Sequence, residues 1–268
     1  MLRTLTLAIS LSIVSGCAGA TMDPDTPRAA PPVNASEESP GTEGLPEYLA
    51  RLGVTVEQRV ELDAIRDRLV ERTRSADAQR LAFQDAMVGA IDACDADYAR
   101  LRIEGRRMVD AGEAAKPAIL DAINEFHAVL TPEQRRRLVE PMLQRSAERR
   151  ERSDDDGFAA LGAKLDLGIG QIVKMANRAR TRITLSRSDR DDLRDRFDEA
   201  AERFMGPRFD AHAEPLAREP LVEHVVQFIF DLAAVVLPVL EEEQCDVAAE
   251  FVRERFAEDD DAGGEETK

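Results

Sequence analysis

The side chains best suited to hold a metal or act as nucleophiles are few: His127, His212 and His224, with Cys17, Cys94 and Cys245. A zinc site gathers three or four such donors at short, characteristic spacings, and no pair here has that spacing. The closest approach to a donor line is His224, Gln227 and Asp231, at three- and seven-residue separation on one apolar segment. With His127, which leads into Leu130, His224 and Asp231 are weak candidates for a divalent metal; an exposed helix face is the commoner meaning of such a line. Met108, Met142, Met175 and Met205 read as core filling rather than soft-metal ligands. The acidic run 153–157 lacks the alternating oxygens and later Glu of a calcium loop. His212-Ala213-Glu214-Pro215 is half of a deaminase signature without its paired cysteines. There is no Gly-x-Ser-x-Gly and no phosphate-cradling glycine loop. The abundant carboxylates suit solvated helix faces and i,i+4 pairs. A non-catalytic protein without a cofactor is expected.

The second kind of chemistry is local hydrogen bonding. Thr55 precedes Gln58 by three residues, and Thr131 precedes Gln134 by three with Pro132 between them. Thr as N-cap with Gln at the third helical position is a capping box, and Pro at the first position reinforces the second one. Val54 and Leu130 stand where a hydrophobic staple begins, but its far positions are Arg59 and Arg135, so these apolar residues must pack elsewhere. Leu62, Ile65 and Leu69, and later Leu101, Met108, Ile119, Ile123, Phe126 and Leu130, recur at helical spacing. Ser75 and Asp95 are plausible intermediate caps. The expected helices are 56–73, 76–92, 96–130 and 132–151, the last kinked at Pro141.

These elements belong to a chain of 268 residues with no Trp, two Tyr and 33% charged residues, a composition that favours an all-α fold. Residues 51–152 carry 19 basic and 19 acidic side chains; residues 153–268 carry 15 and 28. An acidic chain without a basic stripe gains nothing from phosphate backbones, so nucleic acid is not an expected partner. The layout of the first half returns in the second. Leu167-Gly168-Ile169-Gly170-Gln171 stands where Val54 to Gln58 stood, and Leu240 to Gln244 where Leu130 to Gln134 stood. The motifs are 76 residues apart in one copy and 73 in the other, which predicts a tandem duplication. Two four-helix units at 47–152 and 158–257 are expected, joined by a linker at 153–157 and ending in a disordered acidic tail at 258–268.

At the N-terminus, Arg3 precedes an apolar run from Leu5 to Val14 and then Ser15-Gly16-Cys17. The run is about half the roughly 20 residues that a membrane-spanning helix needs, so 1–16 reads as an export signal. Small residues directly before a cysteine resemble the lipobox of bacterial lipoproteins, which implies lipid attachment at Cys17. Ala18 after it favours the outer membrane, on the periplasmic side. Residues 17–46 contain six prolines and no apolar period, and read as a tether. In an oxidising compartment Cys94 and Cys245 could form a disulfide or remain two buried thiols; their sequence positions leave both open.

Leu130-Thr131-Pro132-Glu133-Gln134-Arg135, with Val54-Thr55-Val56-Glu57-Gln58-Arg59 one helical hairpin upstream, resembles the paired LTxxQ motifs of the Spy/CpxP family of periplasmic proteins. The resemblance covers 50–152. It implies small all-helical units that form cradle-shaped dimers, with an ATP-independent chaperone-like or envelope-stress role, or in related members divalent-metal binding or sensing. The implied partners are unfolded or envelope polypeptides. The second unit departs from the pattern: Gly168 and Glu241 replace the capping threonines, and Cys245 replaces the Arg after the glutamine. Two fused units predict a monomeric pseudo-dimer; a homodimer and a non-catalytic helical scaffold are the alternatives. Arg135 to Arg137 and the arginines of 145–152 could supply charge to a client-binding surface.

Overall fold

A computed structural model describes residues 52–94, 99–151, 162, 165–184 and 187–261. The expected signal, Cys17 and the tether lie outside these residues, as do Asp95, the linker at 153–157 and the tail beyond Asp261. The described residues form seven α-helices and two short 3-10 turns, with no strand: α1 (Val56–Asp92), α2 (Ala99–Val129), α3 (Pro132–Glu151), α4 (Ile169–Arg182), α5 (Arg187–Phe204), α6 (Leu221–Val236) and α7 (Glu242–Asp261). The fold is all-α.

The expected break at Ser75 is absent. α1 runs unbroken for 37 residues, about 55 Å at 1.5 Å per residue. A serine caps a helix only where the backbone leaves it, and here burial favours continuation: Phe83, Ala86 and Ala90 extend the buried stripe begun by Leu62, Ile65, Leu69 and Thr73. The Thr73 hydroxyl donates to the Leu69 carbonyl at 2.9 Å, so it is satisfied within the helix. α1 stops at Cys94, whose φ of 46° is left-handed. α3 carries Pro141 within its run, and α7 extends through Asp261, four residues into the segment expected to be a tail.

α2 returns antiparallel to α1, with its register marked by Arg100–Asp85 at 2.6 Å near one end and Arg72–Asp121 at 3.0 Å towards the other. Small residues, Ala115, Ala118 and Ala122, line its buried side. At the open end of this hairpin, Leu52, Leu62, Ile65, Leu69, Ala118, Ala122 and Leu130 form one core cluster, joined by Val54, so both unstapled apolar residues pack there. At the far end, Phe83, Leu101 and Met108 pack with Val226 of α6. Here Gly105 and Gly112, seven residues apart on α2, let α6 approach closely. A Cβ at Gly105 would lie 2.5 Å from Phe230 Cζ, and one at Gly112 2.6 Å from Val222 Cγ2. A third cluster, built from Met175, Val235 and Val236, belongs to the second half. The span Leu221–Val239 is long and apolar enough to cross a membrane by length and composition. In this fold it packs on α2 and buries Asp231.

Candidate functional site

The paired motifs meet at the open end of the α1/α2 hairpin. Gly53 turns the chain with φ 66°, a conformation that costs a residue with a Cβ, and Thr55 then takes the extended N-cap geometry. Thr55 Oγ1 accepts from the Gln58 backbone N–H at 3.2 Å, and the Thr55 N–H donates to Gln58 Oε1 at 2.9 Å. Thr131 and Gln134 repeat both bonds at 3.2 and 2.9 Å. The glutamines do more than cap. Gln58 Nε2 donates to the Val129 carbonyl at 2.7 Å and to Gln134 Oε1 at 2.9 Å. Gln134 Nε2 donates to the Gly53 carbonyl at 2.9 Å and to Gln58 Oε1 at 3.0 Å. Each carboxamide thus fills two acceptor and two donor positions, and the pair ties the loop before α1 to the loop before α3. Capping was readable from spacing; this reciprocal clasp across 76 residues was not.

A second clasp has the same form. Gln171 Nε2 donates to the Val239 carbonyl at 2.9 Å and to Gln244 Oε1 at 2.7 Å; Gln244 Nε2 donates to the Leu165 carbonyl at 3.2 Å and to Gln171 Oε1 at 3.4 Å. The Gly168 and Glu241 N–H groups donate to their glutamine side chains at 2.9 and 3.0 Å. Without threonine hydroxyls, the Gln171 and Gln244 backbone N–H groups turn to the Gly168 and Glu241 carbonyls, each at 2.9 Å. Asp166, one residue after buried Leu165, takes a left-handed φ of 49° where Gly53 follows buried Leu52.

Beside each clasp the first helical turns leave branched apolar side chains in solvent: Val56 and Val60 on α1 are 76% and 65% exposed, Ile169 and Val173 on α4 81% and 50%. Val70 and Leu81 continue the outward apolar positions of α1. A shallow groove next to the first clasp is lined by Ala64, Ile65, Ala128 and Val129, with Glu61, Arg68 and Glu125 at its edges. Glu57, at the first turn, has its carboxyl held below the usual range by its own backbone N–H and by the Thr55 hydroxyl.

The weak metal candidates are spoken for or scattered. Asp231 accepts from the Thr184 N–H and hydroxyl at 2.7 and 2.6 Å and from Gln227 at 2.7 Å, closing the end of α4 onto α6. The buried Nδ1 of His224 has no hydrogen-bond partner. His127 is not on an exposed face: it is 7% exposed, and both ring nitrogens meet protein, Nε2 at the Gly206 carbonyl (3.0 Å) and Nδ1 at Arg135 Nη1 (3.4 Å). Among the described residues no three His, Cys, Asp or Glu side chains converge. Arg135 is also withdrawn from any client surface; it is 5% exposed and donates to the His127 carbonyl at 3.0 Å, leaving Arg136 and Arg137 exposed. Cys94 and Cys245 are joined by a disulfide with Cα atoms 5.7 Å apart, linking the end of α1 to the start of α7.

No curated protein and no solved structure matches the chain. Residues 41–142, which contain the first clasp and all of α1 and α2, match the model of the LTXXQ motif family.

Proposed function

We propose that this protein is an ATP-independent, chaperone-like binding protein of the bacterial periplasm, lipid-anchored at Cys17 and reaching unfolded or envelope polypeptides from the membrane surface. The observation that carries the reading is the outward face of α1. Val56, Val60, Val70 and Leu81 project away from Leu62, Ile65 and Leu69, and exposed Glu57, Arg59, Glu61 and Asp67 stand among them. Apolar groups on the face opposite the core add nothing to folding. A mixed apolar and charged surface of this kind suits weak, sequence-tolerant contact with extended chains. The match to the LTXXQ family and the export signal agree with it.

The test is suppression of aggregation of an unfolding client by the lipid-free mature chain, at near-stoichiometric ratio, without ATP, and with and without zinc. Suppression independent of zinc is expected, weakened severalfold by Val56→Asp with Val60→Asp. Absence of suppression together with tight zinc binding would replace this reading by the metal-responsive one.

A further inference from the structure

The non-helical segment 205–214 lies against α2 through three of its residues, spaced one turn apart. Asp121 Oδ1 meets His212 Nε2 at 2.9 Å. Asn124 accepts from the Ala211 N–H at 2.7 Å and donates to Asp210 Oδ1 at 3.2 Å. His127 Nε2 meets the Gly206 carbonyl at 3.0 Å. Around His127 stand Phe204, edge-on at 5.1 Å between ring centroids, and Phe209 at 5.5 Å; Phe126 stacks on Phe204 at 6.5 Å.

The partners of His127 fix its state. A carbonyl can only accept, so Nε2 carries the proton; a guanidinium can only donate, so Nδ1 carries the lone pair. The next proton must therefore enter at Nδ1, where Arg135 Nη1 already sits at 3.4 Å. Arg135 keeps its charge, as a guanidinium does, and the same Nη1 is anchored by donating to the His127 carbonyl. From α3 the facing group is this cation; from the 205–214 side the facing groups are the Gly206 carbonyl and uncharged rings. Among the described residues, no carboxylate is placed to meet a second positive charge here.

We infer that His127 is an acid-sensitive latch: protonation at Nδ1 creates a buried cation beside Arg135, the ring leaves its place beneath the Gly206 carbonyl to reach water, and the 205–214 segment is freed from α2, uncovering Phe126, Phe204 and Phe209. Burial holds the ring below the ordinary imidazole range, against the upward pull of the Gly206 hydrogen bond, and the Arg135 charge adds a smaller downward push. Release therefore falls below pH ~6.5. The other titratable pair on this surface does not fail first. Asp121 is held below the ordinary carboxylate range by hydrogen bonds from His212 and Arg72, so it remains a carboxylate acceptor through the pH range in which His127 changes. The Asp121 contact is kept as the one at His127 is lost, and the segment swings from its Asp121 end.

Hydrogen exchange of the full chain, corrected for the intrinsic effect of pH, reads this directly. Protection of 205–214 should fall between pH 7 and 5, approaching about tenfold per unit, while the amides at the two clasps hold. His127→Gln supplies the same donor and acceptor without a titration, and should remove the pH dependence; His212→Gln should leave it in place. Unchanged protection of wild-type 205–214 down to pH 5 would overturn the latch. So would ring NMR of the wild-type chain placing the His127 titration at or above the free-imidazole value, and this measurement decides the matter even if the His127→Gln chain does not fold.

Discussion

A glutamine side chain offers two acceptor lone pairs and two N–H donors, and Gln58 and Gln134 use all of them. Replacing either therefore orphans groups on both loops. Gln134→Leu should lower stability by about 2–4 kcal/mol, from unpaired groups costing roughly 1–3 kcal/mol each, measured by urea unfolding at pH 7. Because the two residues share bonds, the double variant Gln58→Leu/Gln134→Leu should cost clearly less than the summed singles. Gln58→Glu keeps the acceptors and loses both donors, so it should be more harmful at pH 7 than in acid, where one oxygen regains a proton. His127 acts in the opposite sense. Its folded value lies below its unfolded one, so its contribution is complete above pH ~6.5 and is lost as pH falls through that range. The urea midpoint should drop between pH 7 and 5, and His127→Gln should flatten that slope. Spacing made Thr55, Gln58, Thr131 and Gln134 legible as caps, because capping is local. The clasp, and the use of Arg135 with His127 and Gly206, join residues 76 and 79 positions apart, and no period in a single sequence encodes such pairs.

At the scale of elements, the amphipathic stripe gave the helices and an over-weighted local signal gave the wrong break. Ser75 is a good cap in isolation, but a helix already packed along its length by Phe83, Ala86 and Ala90 has no reason to stop there. The approach of α6 to α2 was not readable either, since a glycine inside a helical pattern has several meanings. Its meaning is now specific: Gly105 and Gly112 give room to Phe230, Val226 and Val222. Gly105→Ala would gain up to about 1 kcal/mol in helix propensity, but its Cβ would press on a rigid ring and a branched side chain. Overpacking of this kind costs about 1–3 kcal/mol. A net loss of stability is expected, larger for Gly105→Val, with Gly89→Ala as the contrast: a Cβ there meets nothing within 4 Å. Thermal unfolding of the three variants checks the order.

For the molecule as a whole, the residue after the second glutamine of each clasp stands at a contact between the halves, Cys245 directly and Arg135 through His127. Arg135 holds His127 beneath Gly206, and Cys245 bonds Cys94. The departure of Cys245 from the motif, which in sequence looked like decay, is in the structure a covalent link between the halves, where Arg135 makes hydrogen bonds to His127 of its own half. Cys245 is fully buried, so Cys245→Ala should remove the link with little repacking. A loss of about 2–5 kcal/mol is expected from the larger unfolded ensemble, read as a lower urea midpoint that reductant does not lower further. The bond also changes the connectivity of the molecule. Backbone and disulfide close a ring between residues 94 and 245, with one free arm on each side. A protease that cuts once inside the ring opens it without releasing a fragment, and both halves stay attached to whatever holds the N-terminal arm. A gel without reductant should show one species where a reduced gel shows two.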